Sequence, residues 1–168
     1  CIRDRRYTDN YVSPIGNIVL AGDGTALTGL WFEGQKWFGA GLPDGAERAE
    51  LPVFGQTKKW LDIYFGGGEP AFTPAVALRG SEFQIAVWNV LSAIPYGKTV
   101  TYGEIAKNLT AVTGRKTSAR AVGSAVGRNP VSIIVPCHRV LGADGSLTGY
   151  AGGVERKREL LRLEGVLL

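Results

Sequence analysis

Apolar residues recur along this chain with two different periods. Over residues 17–21 and 26–32 they form short strand-like runs separated by Gly22-Asp23-Gly24, and an Asp-Gly step between such runs predicts a β-hairpin. From residue 53 the period changes. Val53, Trp60, Leu61, Tyr64 and Phe65 fall at helical spacing, and Gly66-Gly67-Gly68 closes the segment. These elements define a small sheet-plus-helix scaffold domain over residues 1–72. The shift to Gly, Pro and Ala then predicts a linker over residues 73–80.

Residues 81–168 read as a second domain, made of helices with marked ends. Ser81 and Gln84 have capping-box spacing ahead of an apolar stripe, Phe83, Val87, Trp88, Leu91 and Ile94, which stops at Pro95. Thr101 and Glu104 repeat the box and open a helix that runs through Leu109. Thr117 or Ser118 can cap a third helix over residues 119–128, which closes before Asn129-Pro130. Two short helices joined by a turn outline a helix-turn-helix, although the turn over residues 110–116 is longer than the usual roughly 3–4 residues. The β-branched run at 131–135 predicts a buried strand, residues 143–146 a turn, and residues 154–164 a last helix with Leu160, Leu161 and Leu163 as its apolar face.

Composition narrows the class. Of 168 residues, 45% are hydrophobic and 20% charged, close to the globular average, which excludes wholesale disorder and fibrous repeats. The longest apolar runs, such as 131–136, fall far short of the ~20 residues a membrane span needs. The charged start lacks the apolar core of a signal peptide, while the absence of an initial Met leaves a processed leader open. Residues 1–94 carry 8 Lys/Arg and 10 Asp/Glu, whereas residues 95–168 carry 11 and 5, so the net charge of +4 comes from the second half. A basic half points to a polyanionic partner. Cys1, Cys137 and His138 cannot supply the four ligands of a structural zinc site, so neither metal nor cofactor is expected. A Cys1–Cys137 disulfide would tie a fraying terminus to the interior, and a reduced, cytoplasmic protein is the better reading.

Three features carry candidate chemistry. In Pro136-Cys137-His138-Arg139-Val140 the sole His adjoins the only internal Cys. A thiol becomes a strong nucleophile as thiolate, and a nearby base can remove its proton; the competing reading is a small core hydrophobe beside a loop histidine. Strand neighbours point to opposite faces, so the chain must leave the strand at Pro136 for the pair to cooperate. Glu164 falls on or near the inner face of the last helix, at a C-terminal end where the macrodipole disfavours negative charge. An imidazolium would compensate it, giving a Cys, His, Glu chain; otherwise it projects into water. Finally Ala119, Ala121, Gly123, Ser124 and Ala125 make the third helix thin, with Arg120 and Arg128 as its charges. Such a helix packs closely on protein or enters a DNA groove only ~6 Å wide.

Together with Ala119-Arg120-Ala121-Val122-Gly123, Asn129-Pro130 and Gly149-Tyr150-Ala151-Gly152-Gly153, this motif closely resembles the O6-alkylguanine-DNA alkyltransferases. The resemblance covers residues 81–165 and is strongest to the bacterial, zinc-free type; Ser13-Pro14-Ile15-Gly16 is similar to the family's opening strand. It implies a ribonuclease H-like first domain and a winged-helix-like DNA-binding domain. It also implies a monomeric single-use repair protein for double-stranded DNA carrying O6-alkylguanine, with O4-alkylthymine activity and cooperative assembly on DNA left open. On this resemblance Cys137 is nucleophile and alkyl acceptor, His138 its base through a water, and Glu164 the group that orients the imidazole and favours its charged form. Tyr102 donates a proton or hydrogen bond to the flipped guanine, and Asn129 links the recognition helix to the active-site segment. Ala119, Arg120, Ala121, Gly123 and Arg128 meet DNA, with Arg120 filling the vacated stack. The backbone at Cys137 and Val140, with Tyr150 and Ala151, holds the base. Many relatives have a hydroxyl residue at the position of Ala151, so backbone NH must serve there instead. Beyond the resemblance, the β-branched Thr148 is expected to restrict bulky alkyl groups, and the longer turn, a departure from the family, is expected to add phosphate contacts through Arg115 and Lys116.

Overall fold

The computed structural model describes residues 6–35, 38–39, 46–147 and 150–166. The N-terminal half is a four-stranded sheet in the order β3-β2-β1-β4, with β1 at Tyr7–Ser13, β2 at Gly16–Gly22, β3 at Leu27–Phe32 and β4 at Glu47–Arg48. The expected hairpin is present as β2 and β3, but β1 is an element the apolar pattern does not announce. Ser13, Pro14, Ile15 and Gly16 do not form an opening strand; they close the β1–β2 hairpin, paired Ser13 to Gly16. Helix α1, Pro52–Phe65, begins on a Pro whose missing N–H would have no helical acceptor. It buries Val53, Phe54, Trp60, Leu61 and Tyr64, with the Trp60 and Tyr64 rings stacked 5.2 Å apart.

The second half consists of α2 at Glu82–Ser92, α3 at Tyr102–Thr113, α4 at Ala119–Gly127 and α5 at Val154–Leu163, with a two-residue parallel pair, β5 (Val100–Thr101) and β6 (Val140–Leu141). The Ser81 capping box forms as expected, as does the Thr101 cap on Glu104. Phe83, however, is 38% exposed and does not join the α2 core stripe. Helix α3 runs to Thr113, beyond Leu109, and ends on Gly114 in the left-handed region. The inter-helix turn is therefore residues 114–118, with Ser118 rather than Thr117 capping α4. Trp88, almost fully buried, donates Nε1–H to the Ala125 carbonyl at 2.8 Å and so pins α2 to α4.

Several connections join the halves. Strand β3 exchanges backbone hydrogen bonds at Leu27 with Ala75 and Ala77, and at Leu30 with Pro130 and Ser132. Its exposed edge is thereby covered, as edge strands require. Arg156 of α5 donates Nε–H to the Ile15 carbonyl at 3.0 Å and lies over the Phe32 ring at 4.7 Å. Among the described residues no helix is long and apolar enough to cross a membrane.

Trp88→Phe removes the indole N–H and leaves a partial void at a shared contact of α2 and α4. Urea unfolding should show a loss of about 2 kcal/mol.

Candidate active site around Cys137

The segment leading to Cys137 is not a strand. Val131 makes one bridge to Leu30, and residues 132–134 then turn, with Ile133 at φ 70°, Ile134 N–H donating to Ser132 O, and Val135 N–H donating to Val131 O. A β-branched residue at positive φ is a costly conformation that persists only where surroundings dictate it. Here the dictating group is Asn129. Its Nδ2 donates to the Val135 and Val131 carbonyls at 2.8 and 3.3 Å, and its Oδ1 accepts from Val131 N–H at 3.1 Å. This buried side chain stitches the end of α4 to the loop, so backbone groups that a sheet ladder would have satisfied are satisfied locally.

Pro136 then leads into a single 3₁₀ turn, Cys137–Arg139, closed by Val140 N–H on Cys137 O. At about three residues per turn, successive side chains diverge by about 120° instead of opposing one another. Cys137 and His138 can therefore point in different directions from one turn. Cys137 is 7% exposed and His138 fully buried.

Glu164, the residue after α5, is the hub of this core. Its Oε2 lies 2.5 Å from His138 Nε2 and accepts from the Tyr64 hydroxyl at 2.6 Å. Its Oε1 accepts from Arg139 Nε at 2.8 Å and from Gly97 N–H at 2.9 Å. Gly97 has φ +75°, and a Cβ there would approach the Glu164 backbone carbonyl to 3.3 Å, so glycine suits this contact. Burial works against the Glu164 charge, but His138, Gly97 and Tyr64 outweigh it and hold the carboxyl down to about 2. Burial holds the His138 imidazole below its ordinary value, with Glu164 pulling the other way. His138 Nε2 faces the carboxylate, and its buried Nδ1 has no hydrogen-bond partner among the described residues. Burial chiefly, with Arg139 and Lys157, opposes the charged form of the imidazole that Glu164 favours.

Burial pushes the Cys137 thiol up, opposed by Asn129, Lys157 and Ser132. Lys157 is fully buried, donates from Nζ to the Val140 carbonyl at 2.5 Å, and lies 5.8 Å from the Tyr102 ring centre. Burial brings it down to about 8, with Cys137 pulling it back up. A cation here favours a thiolate when one forms. Tyr102 is half-buried at the start of α3, close to Gly123 of α4, and Tyr150 and Ala151 are half-buried. Ala119, Arg120 and Arg128 are exposed on α4 and Ala121 is half-buried, while Arg115 and Lys116 stand exposed on the preceding turn. Thr148 lies outside the described residues. Tyr64, Arg139 and Lys157 take part without having been singled out as functional. Lys157 had a readable signal, since it lies on the stripe 157, 160, 161, 164 of α5.

A thiol on a sheet-anchored loop, next to a helix-turn-helix and backed by a His–Glu pair, marks a two-domain protein with a sheet half and a helical half. Comparison with known proteins agrees. Residues 7–78 match the 6-O-methylguanine DNA methyltransferase ribonuclease-like domain, and residues 82–166 its DNA binding domain. The methylated-DNA–protein-cysteine methyltransferase of Methanosarcina acetivorans is 49% identical over 157 residues, covering 92% of this chain and 96% of that protein. That of Haemophilus influenzae is 41% identical, covering 95% and 87%. The crystal structure of Mycobacterium tuberculosis O6-methylguanine methyltransferase superposes with a TM-score of 0.82 at 44% identity, covering 95% of this chain and 92% of that one. A structure of the same organism's protein in complex with DNA gives 0.80 at the same identity and coverage. The chain belongs to the 6-O-methylguanine DNA methyltransferase family.

Two outcomes follow from the buried charges. Glu164 is held at about 2 against an ordinary 4.5, so its stabilisation is complete above pH 4.5 and lost as pH falls to about 2, a contribution of about 3 kcal/mol. Acid titration of unfolding should lose that increment in Glu164→Gln. Lys157, lowered from 10.5 to about 8, is a destabilising burial at neutral pH. Lys157→Met should raise the melting temperature while slowing alkyl transfer at least about tenfold, because a buried charge favourable to the thiolate is gone.

Proposed function

We propose that this protein repairs alkylated double-stranded DNA by moving the alkyl group from O6 of guanine to the sulfur of Cys137, once per molecule. The carrying observation is the orientation of His138: Nε2 is engaged by Glu164, which leaves the buried Nδ1 as an unprotonated base on the same 3₁₀ turn as the thiol.

The thiol proton passes across one water to Nδ1 as Sγ approaches the alkyl carbon. Glu164 then stabilises the imidazolium through Nε2–H, and the Lys157 cation stabilises the developing thiolate. The S–C bond forms as the C–O6 bond breaks, and Tyr102 supplies a proton or hydrogen bond to the departing guanine. Guanine takes up a proton at N1 as it leaves and the imidazolium gives its proton back through solvent, so the thiol proton ends on the released guanine and the atoms balance with no co-substrate. The thioether has no hydrolytic exit, and the protein is consumed. A carboxylate and an arginine on the far side of the imidazole make the base available near neutral pH without a permanent thiolate that solvent oxidants would attack.

A stacked guanine cannot present O6 to a buried thiol, so the lesion is extruded, at a cost reduced by its poor pairing. Helix α4 with Ala119, Ala121 and Gly123 lies against the groove, Arg120 occupies the vacated space, and Arg128 meets phosphate. The flipped base is held by the backbone at Cys137 and Val140 and near Tyr150 and Ala151, while Thr148 narrows the entrance for alkyl groups. In this reading residues 1–72 are scaffold, 73–80 linker, and 81–168 the part that binds DNA and reacts.

Mixing known amounts of protein and O6-methylguanine duplex should move at most about one methyl per protein, with the mass increase on the Cys137 peptide. Cys137→Ser should abolish transfer while retaining DNA affinity. Continued turnover, or methyl loss with Cys137 unmodified, refutes the proposal.

A further inference from the structure

A side chain of the sheet half reaches the His138–Glu164 pair. Tyr64, fully buried on α1, places its hydroxyl 2.6 Å from Glu164 Oε2, 3.3 Å from His138 Nε2 and 3.4 Å from the Leu160 carbonyl. Its ring is gripped by aromatic neighbours, stacked on Trp60 at 5.2 Å and edge-on to Phe65 and Tyr96 at 5.5 and 6.2 Å. The hydroxyl oxygen is therefore fixed in place. Burial, with the Glu164 charge, pushes this hydroxyl far above its ordinary range, so it keeps its proton and donates.

Oε2 serves two partners at once, the Tyr64 hydroxyl and, at 2.5 Å, His138 Nε2. A hydrogen bond to a carboxylate favours its charged form and lowers its pull on other protons, so each partner weakens the other's hold on the shared oxygen. We infer that Tyr64 is a positioning residue of the transfer reaction that sets the strength of its base: by taking a share of Oε2 it limits the stabilisation Glu164 gives the imidazolium and keeps His138 a neutral acceptor for the thiol proton. This rests on the relay proposed above, in which Nε2 carries the proton facing Glu164. Without the hydroxyl, the charge of Oε2 falls on Nε2–H alone, and the ring holds a proton that it should instead be ready to receive. Arg139, on the same turn, and Lys157, on α5, also oppose the imidazolium, and Cys137 and Tyr96 are the titratable groups beside this pair. Arg139 and Gly97 N–H donate to Oε1, and so act on the carboxylate without contesting the shared oxygen. The bonds made and broken are those of the proposed transfer, and Tyr64 keeps its proton throughout. The half of the chain read as scaffold thereby supplies a working group to the half that reacts.

His138 is the sole histidine of the chain, so a labelled histidine ring gives an unambiguous NMR signal. The proton on Nε2 is read at constant pH in the unaltered protein, in Tyr64→Phe, and in protein carrying 3-fluorotyrosine at position 64, whose more acidic hydroxyl is a stronger donor. That proton should move downfield in Tyr64→Phe and upfield with fluorotyrosine. The pH at which the ring takes its second proton should rise by about one pH unit in Tyr64→Phe. The single-turnover rate of Tyr64→Phe on an O6-methylguanine duplex should then fall off at correspondingly higher pH, with its alkaline plateau retained. A packing defect does not give displacements of opposite sign, and the fluorinated protein, which keeps the ring, decides the question if Tyr64→Phe folds poorly. Displacements of the same sign, or none, overturn the inference, and a proton found on Nδ1 instead of Nε2 overturns it together with the relay. Failure to find the methyl group on Cys137 of the unaltered protein overturns the underlying transfer instead, and intact mass reads that outcome separately.

Discussion

The carboxylate of Glu164 is the constraint on which the rest of this site depends. It is fully buried as a side chain and yet ionised, a state that desolvation would forbid without compensation. Four donors from three parts of the chain meet that need: Tyr64 from α1, Gly97 from the turn after α2, and His138 and Arg139 from the 3₁₀ turn. Because each oxygen has its own pair of donors, the imidazole can turn only one way. The direction in which the ring presents its two nitrogens is thereby set.

On the opposite side of Cys137 the logic is reversed. Burial disfavours the charged form of the thiol, and Lys157, a cation that offsets this, is itself disfavoured by burial. Such pairs of poorly solvated groups sacrifice stability for reactivity, as active sites commonly do. The two sides divide the work. The Glu164 cluster contributes stability and orientation, and the Lys157 side contributes readiness to react.

What could be read from the chain alone follows from how local each feature is. The caps of α2, α3 and α4 and the end of α1 depend on residues a few positions apart, and they were legible. Strand β1 was not, because its inward positions include Asp9, which is buried in an ion pair with Lys58 at 2.7 Å, and its outward side carries Val12, 83% exposed. Its polarity runs against the usual alternation. The 131–135 run misled for a different reason: β-branched residues favour strands, and only the distant grip of Asn129 and Leu30 turns the backbone at Ile133. At the site, adjacency made the Cys137–His138 pair visible and helical spacing made Glu164 visible. Tyr64 carried no signal, since a core aromatic on α1 looks the same whether or not its hydroxyl is used. Arg139 was in plain view within the motif, but a cation beside His138 says nothing of its direction without the fold.

Strand β3 offers its free edge to two segments, one before α2 and one just ahead of the reactive turn, each through a pair of backbone hydrogen bonds. The reactive loop is thus hung on a rail that belongs to the other half of the chain, and its odd geometry is underwritten from there. The two halves are not interchangeable cassettes. A hybrid that grafts one relative's helical portion onto another's sheet would have to inherit the rail and the loop from the same parent, and the history of such exchanges within the family is expected to respect that joint.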